Sequence, residues 1–80
     1  MNYTSGKLIR EFRLEKKISQ VKIAKALGVS SQYIANVERG VCNLAPIYIK
    51  KTCKMIGLDT ELLIDVMVDD CRSSIKKILS

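Results

Sequence analysis

The sequence predicts an all-α fold of five helices, and three observations carry that reading. From Ser19 to Gly40, SQVKIAKALGVSSQYIANVERG reads as two short helices joined by a tight turn, each opened by a serine able to cap it, Ser19 and Ser30. Gly28 stands at the turn between them, where a left-handed backbone costs glycine nothing. Apolar residues recur at helical spacing on both sides of this pair, and Pro46 and Gly57 punctuate the C-terminal side as a helix start and a helix stop.

In chain order, Met1 to Thr4 are expected as a frayed end or short arm, with Ser5 capping a first helix of about residues 6–17. Ile9, Phe12 and Arg13 share an inward stripe on it. The next helix, about Gln20 to Leu27, is expected to pack through Val21, Ala24 and Leu27 while Lys22 and Lys25 point elsewhere. Ala24 is small and lets the two helices of the pair cross closely. On the helix after Ser30, an advance of about 100° per residue puts Ile34, Val37 and Glu38 on an inward arc and Gln32, Asn36 and Arg39 on the opposite side. Val41 to Ala45 then connect to a helix from Pro46 to about Ile56, with Asn43 expected as the local cap because Ala45 has no side-chain acceptor.

After Gly57, Asp59 or Thr60 opens a last helix of about residues 60–79. Leu62, Leu63, Val66 and Met67 form an apolar stripe, and Ile75, Ile78 and Leu79 follow. A five-helix core consumes the first half of this helix, and the second half projects apolar residues that nothing else in the chain covers. A second copy of the chain is the expected cover, with Leu62, Val66, Ile75, Ile78 and Leu79 at the homodimer interface. Asp65, Asp69 and Asp70 read as solvated residues of the outer face rather than as metal ligands or catalytic carboxylates.

Eighty residues make a single domain, 1–80. Lysine and arginine number 14 against 8 acidic residues, for a net charge of +6, which favours an anionic partner such as nucleic acid or a membrane surface. The charge is uneven: residues 1–54 hold 11 basic and 3 acidic side chains, residues 55–80 hold 3 and 5. The anion-binding surface therefore belongs to the first two thirds. Cys42, Cys53 and Cys71 are odd in number, form no CxxC pair and have no histidine to complete a zinc site, so neither a disulfide framework nor a metal centre is expected. Cys53 reads as a small core hydrophobe, and free thiols fit a reducing cytoplasm. No apolar run approaches the roughly 18–20 residues of a membrane span, and MNYTSGKLIR lacks the apolar core of a signal peptide. An enzyme would need a nucleophile with an activating base, or a metal, and the sequence offers no histidine and no ligand cluster. No cofactor or small-molecule ligand is expected.

The polar residues divide by chemistry. Arg13 and Glu38 each stand at the margin of an apolar face, and the cheapest arrangement pairs them, because an unpaired charge at a core edge costs on the order of several kcal/mol. Two independently solvated charges are the alternative. Gln20 lies in the first turn of its helix, where free N–H groups and the helix dipole favour an anion, so it can help hold a phosphate or serve as a local cap partner. Lys7 and Arg10 are solvated charges or phosphate contacts, and Lys16 and Lys17 solvated ones. Asn and Gln match the adenine edge in the major groove and Arg matches guanine, so the face carrying Gln32, Asn36 and Arg39 has the side chains of direct base readout. A solvated polar face fits the same spacing.

Ser19-Gln20, Ile23-Ala24, Leu27-Gly28-Val29-Ser30, Ile34 and Glu38-Arg39-Gly40 match the pattern of the phage repressor and Cro, or XRE-like, helix-turn-helix family, and the resemblance runs from Ile9 to Leu58. It implies a compact lambda-repressor-like DNA-binding domain, with the helix-turn-helix at about residues 19–40 and an ion pair between Arg13 and Glu38. It further implies base contacts from Ser31, Gln32 and Asn36, with Tyr33 touching a thymine methyl or stacking on the sugar-phosphate wall, and phosphate contacts from Arg39 and Asn43; Lys7, Gln20, Tyr48 and Lys50 are further phosphate candidates. The chain departs from the pattern at Leu44, where proline is frequent, and at Ala45, a common Ser or Thr cap position. The expected function is a sequence-specific regulator of transcription, repressor or repressor and activator, that binds an inverted-repeat operator in double-stranded DNA as a homodimer. A restriction-modification controller and an antitoxin-like protein-interaction module stand as alternatives.

Overall fold

The computed structural model describes residues 4–79, with side chains described over residues 4–72. Its five helices are α1 Ser5–Glu15, α2 Gln20–Leu27, α3 Ser31–Glu38, α4 Pro46–Ile56 and α5 Thr60–Leu79. Among the described residues there is no strand. α1 lies against α3, α4 and α5, α2 against α3 and α4, and α4 against α5.

Local chemistry sets these boundaries. Ser19 Oγ accepts from the Lys22 N–H and Ser30 Oγ from the Tyr33 N–H, each at 3.1 Å, so two orphan donors at the starts of α2 and α3 are satisfied by their caps. Gly28 takes φ 73°, and the Val29 N–H closes on the Ala24 carbonyl at 3.0 Å. α1 ends in the same closure without a glycine. Lys17 sits at φ 57°, and the Ile18 N–H reaches the Arg13 carbonyl at 3.2 Å. Left-handed backbone costs a non-glycine residue about 1–2 kcal/mol. A 2.8 Å hydrogen bond from Arg13 Nη1 to the Ile18 carbonyl helps to offset it. The helix expected to reach residue 17 therefore stops at Glu15.

The core is Ile9, Ile23, Ala24, Ile34, Val37, Leu44, Cys53, Ile56, Leu58 and Leu63. Val21, expected to pack, is exposed, and Ile23 is fully buried in its place. Eight residues are too few for periodicity to choose between the two: Ile23, Ala24 and Leu27 span one arc, and Val21 falls outside it. Burial raises the Cys53 thiol above its ordinary value, the largest influence on it; a Thr60 hydrogen bond opposes that and Asp59 adds to it. Gly6 allows α1 to lie on the end of α3, because a Cβ there would sit 1.8 Å from the Val37 carbonyl oxygen.

The start of α1 differs from expectation. Thr4 holds the N-cap position, its side chain making no local cap bond, and Ser5 is a buried residue of the first turn. Both are tied to Asp70, which is buried rather than solvated: Oδ1 accepts from the Thr4 N–H at 3.0 Å and the Thr4 hydroxyl at 2.5 Å, and Oδ2 from the Ser5 N–H at 3.0 Å. Thr4 is accordingly held, and the rest of the segment expected as a frayed end or short arm, Met1 to Tyr3, lies outside the described residues. Asn43 does not cap α4, whose N-cap is Ala45 with no side-chain bond. Its Oδ1 accepts instead from the Leu44 N–H at 3.1 Å and the Ser5 hydroxyl at 3.3 Å.

On α5, Leu63 is fully buried and Met67 packs on the core, while Val66 is half-buried and Leu62 exposed. Ile64 and Val68 are 37% and 45% exposed on the same helix. The side chains of Ile75, Ile78 and Leu79, expected at a dimer interface, lie outside the described residues.

Candidate nucleic-acid interface

α3 turns its apolar arc inward through Ile34 and Val37, which leaves Ser31, Gln32 and Arg39 exposed and Asn36 half-exposed along the other side. These polar side chains are joined. Gln32 Nε2 donates to Asn36 Oδ1 at 3.0 Å, and Arg39 Nη2 donates to the same oxygen at 2.6 Å. One acceptor thus gathers two donors, and the cation of Arg39 is drawn beside both amides. Such a row presents planar amide and guanidinium groups of the kind that match base edges in the major groove.

Beneath this row lies a buried ionic cluster. Arg13 Nε donates to Glu38 Oε2 at 2.7 Å and Arg13 Nη2 to Glu38 Oε1 at 2.9 Å, with both residues only 7% exposed. Gln20 Nε2 adds a third donor to Glu38 Oε1 at 3.1 Å. Gln20, half-buried, thus bridges the start of α2 to the end of α3 rather than serving as a local cap partner. With Glu38 offset by Arg13, the charges at the surface here are Arg10 and Arg39. A shallow concavity is lined by Arg10, Gln20, Ala35, Glu38 and Arg39, bringing α1, α2 and α3 together around two guanidinium groups.

Tyr33 and Tyr48 form a second junction. Their rings meet edge-on with centroids 6.0 Å apart, and the Tyr33 hydroxyl accepts from the Ala45 N–H at 2.9 Å. A tyrosine on α3 thus satisfies the N-cap residue of α4, which has no side-chain acceptor of its own. Asn43 is half-buried with its carbonyl oxygen engaged by Ser5 and Leu44, while Lys7 and Lys50 are exposed on α1 and α4 outside the concavity. Among the residues expected at phosphates, the fold brings together Arg10, Gln20 and Arg39. Among the described residues no three metal-ligating side chains converge, and no helix is long and apolar enough to cross a membrane.

The arrangement has counterparts. Residues 9–63 match the family described as helix-turn-helix. The chain is 34% identical over 58 residues to the ImmF control region 10 kDa protein of Bacillus phage phi105, an alignment covering 72% of this chain and 64% of that protein's length. It superposes on the crystal structure of the clp gene regulator ClgR from C. glutamicum with a TM-score of 0.66 at 25% identity, covering 89% of this chain and 88% of the other.

Proposed function

Since this chain belongs to the XRE-type helix-turn-helix family, a family of DNA-binding regulators rather than enzymes, we propose that it binds an inverted-repeat operator in double-stranded DNA as a homodimer and so controls transcription. The observation that carries the reading is the hydrogen-bonded row of Gln32, Asn36 and Arg39 on the outward side of α3, set beside the concavity of Arg10, Gln20 and Arg39. The row addresses base edges, with Ser31 at its N-terminal end and the Tyr33 ring at the sugar-phosphate wall. The concavity seats a phosphate, and Lys7, Asn43, Tyr48 and Lys50 supply further backbone contacts.

α5 supplies the dimer. Among the described residues of α5, Ile64 and Val68 are exposed on one flank of the buried stripe and Leu62 on the other, and the helical spacing of Ile64 and Val68 continues along the sequence to Ile75 and Leu79, with Ile78 adjacent. A domain of this size acting alone in the cytoplasm reads one half-site, and two copies related by a two-fold axis read an inverted repeat. The likeness to a phage control-region protein favours a regulator of a phage genetic switch over an antitoxin-like binding module.

Selection from a random DNA library, followed by gel-shift over a salt series, tests the proposal. The expected result is one enriched palindromic motif whose log affinity falls linearly with log salt at a slope of about −0.9 per phosphate neutralised. Absence of any enriched motif would remove sequence-specific binding.

A further inference from the structure

We propose that Asp70 is a positioning residue that fixes the direction in which α5 leaves the fold, and thereby the spacing between the two half-sites that a dimer accepts. The inference rests on the dimeric reading above and deepens it. Asp70 is the last buried side chain described on α5, since Cys71 and Arg72 after it are exposed. Its two carboxylate oxygens take the N–H groups of Thr4 and Ser5 and the Thr4 hydroxyl, so the N-terminus of α1 is capped from a helix more than sixty residues away.

The following atoms carry the connection onward. Ser5 donates its hydroxyl to Asn43 in the connection after α3, and Gly6 lies with its Cα against the Val37 carbonyl at the end of α3. Within three consecutive residues, Thr4 to Gly6, the first turn of α1 is tied to α5, to the loop and to α3. A burial requirement alone would be met by an apolar side chain at this position of the stripe, as Leu63 and Met67 meet it. A carboxylate with directional partners sets an orientation instead, a role for which buried polar groups are suited.

The geometry gives that orientation leverage. From Asp70 to Leu79 the helix rises about 13 Å at roughly 1.5 Å per residue. A swing of about 10° at Asp70 moves its end by about 2 Å, and two-fold symmetry doubles the effect to more than the roughly 3.4 Å between successive base pairs.

The experiment measures binding of the full chain to inverted repeats whose centre-to-centre spacing is stepped one base pair at a time, and to an isolated half-site. The parent should prefer one spacing by about tenfold over its neighbours. Asp70→Asn keeps the shape but turns an amide donor toward N–H groups, and it should flatten that preference to about threefold or less while half-site affinity stays within about twofold. Thr4→Val removes one donor and leaves both backbone bonds, and it should give an intermediate profile in a chain that melts close to the parent. Unchanged spacing selectivity in Asp70→Asn, or a loss of half-site affinity matching the loss on the repeat, overturns the inference while leaving the dimeric operator reading intact. A parent that dimerises on no repeat at all overturns that reading and the inference with it.

Discussion

Arg13 and Glu38 meet through two parallel hydrogen bonds, Nε to Oε2 at 2.7 Å and Nη2 to Oε1 at 2.9 Å, and so join α1 to α3 inside the core. Removing one partner leaves the other charge buried, which costs about 3–5 kcal/mol. Glu38→Gln is therefore expected to lower stability by about that amount, and Arg13→Ala to add little once Glu38 is gone. Chemical denaturation of the four chains of the cycle decides it. A coupling energy near zero would mean that the pair contributes nothing to the docking of α3.

The pairing was legible because both residues share a stripe with apolar neighbours, and the same periodic argument placed Ile34 and Val37. The same periodicity takes in Asp70. Leu63, Val66, Met67 and Asp70 are spaced as one face of a helix, yet a carboxylate at the end of an apolar stripe reads as solvated until a partner is known, and its partners are more than sixty residues away. Val21 against Ile23 failed for a different reason, the shortness of α2. Gly6 carries no periodic signal, because its role is the absence of a side chain against Val37.

Tyr33 separates two roles that the sequence left joined. Its hydroxyl accepts from the Ala45 N–H, so Tyr33→Phe removes that acceptor while keeping the ring against Tyr48. The expected cost is about 1 kcal/mol of stability, with faster hydrogen exchange at Ala45 and an unchanged preferred DNA motif. A changed motif would show that the hydroxyl addresses a base.

Base readers and phosphate binders should part in their sequence dependence. Gln32→Ala and Asn36→Ala are expected to cost about 1–3 kcal/mol on the preferred site and to relax selection at particular positions. Arg10→Ala should weaken all sequences alike and reduce the salt slope by about one. Gln20 touches Glu38 as well, so Gln20→Ala should lower affinity uniformly and stability slightly. Library selection with each variant checks this, and an unchanged motif for the Gln32 and Asn36 variants would take those residues off the reading face.

Asp70 also gives the fold an acid limb. Burial works to raise its carboxyl, but hydrogen bonds from the Thr4 hydroxyl and from the Ser5 and Thr4 backbone outweigh it, so the group sits below its ordinary value. The unfolded chain then takes up the proton first as pH falls. The contribution of Asp70 is complete above the unfolded value of about 3.9 and is lost as pH drops through the lower folded one. Denaturation at pH 7 and pH 3 should show Asp70→Asn less stable than the parent at pH 7, with the gap narrowing at pH 3. A gap that is constant with pH would mean that the carboxylate charge is not what the Thr4 and Ser5 donors recognise.

The end of α5 is expected to join the fold to the operator. Truncation after Arg72 removes Ile75, Ile78 and Leu79 while leaving Asp70, and with it the capped start of α1, in place. If that segment is buried between two copies, the parent is a two-fold dimer whose recognition helices enter successive major grooves about 34 Å, or roughly 10 base pairs, apart. The truncated chain should keep its helical signal and its affinity for an isolated half-site, yet sediment as a monomer at tens of micromolar, where the parent is dimeric. Binding to the inverted repeat should then lose its cooperativity, because the second copy gains nothing from the first beyond the DNA itself. A parent that remains monomeric over the concentration series, or a truncated chain that dimerises equally well, would place the interface elsewhere, and the exposed Leu62, Ile64 and Val68 would become the residues to substitute next.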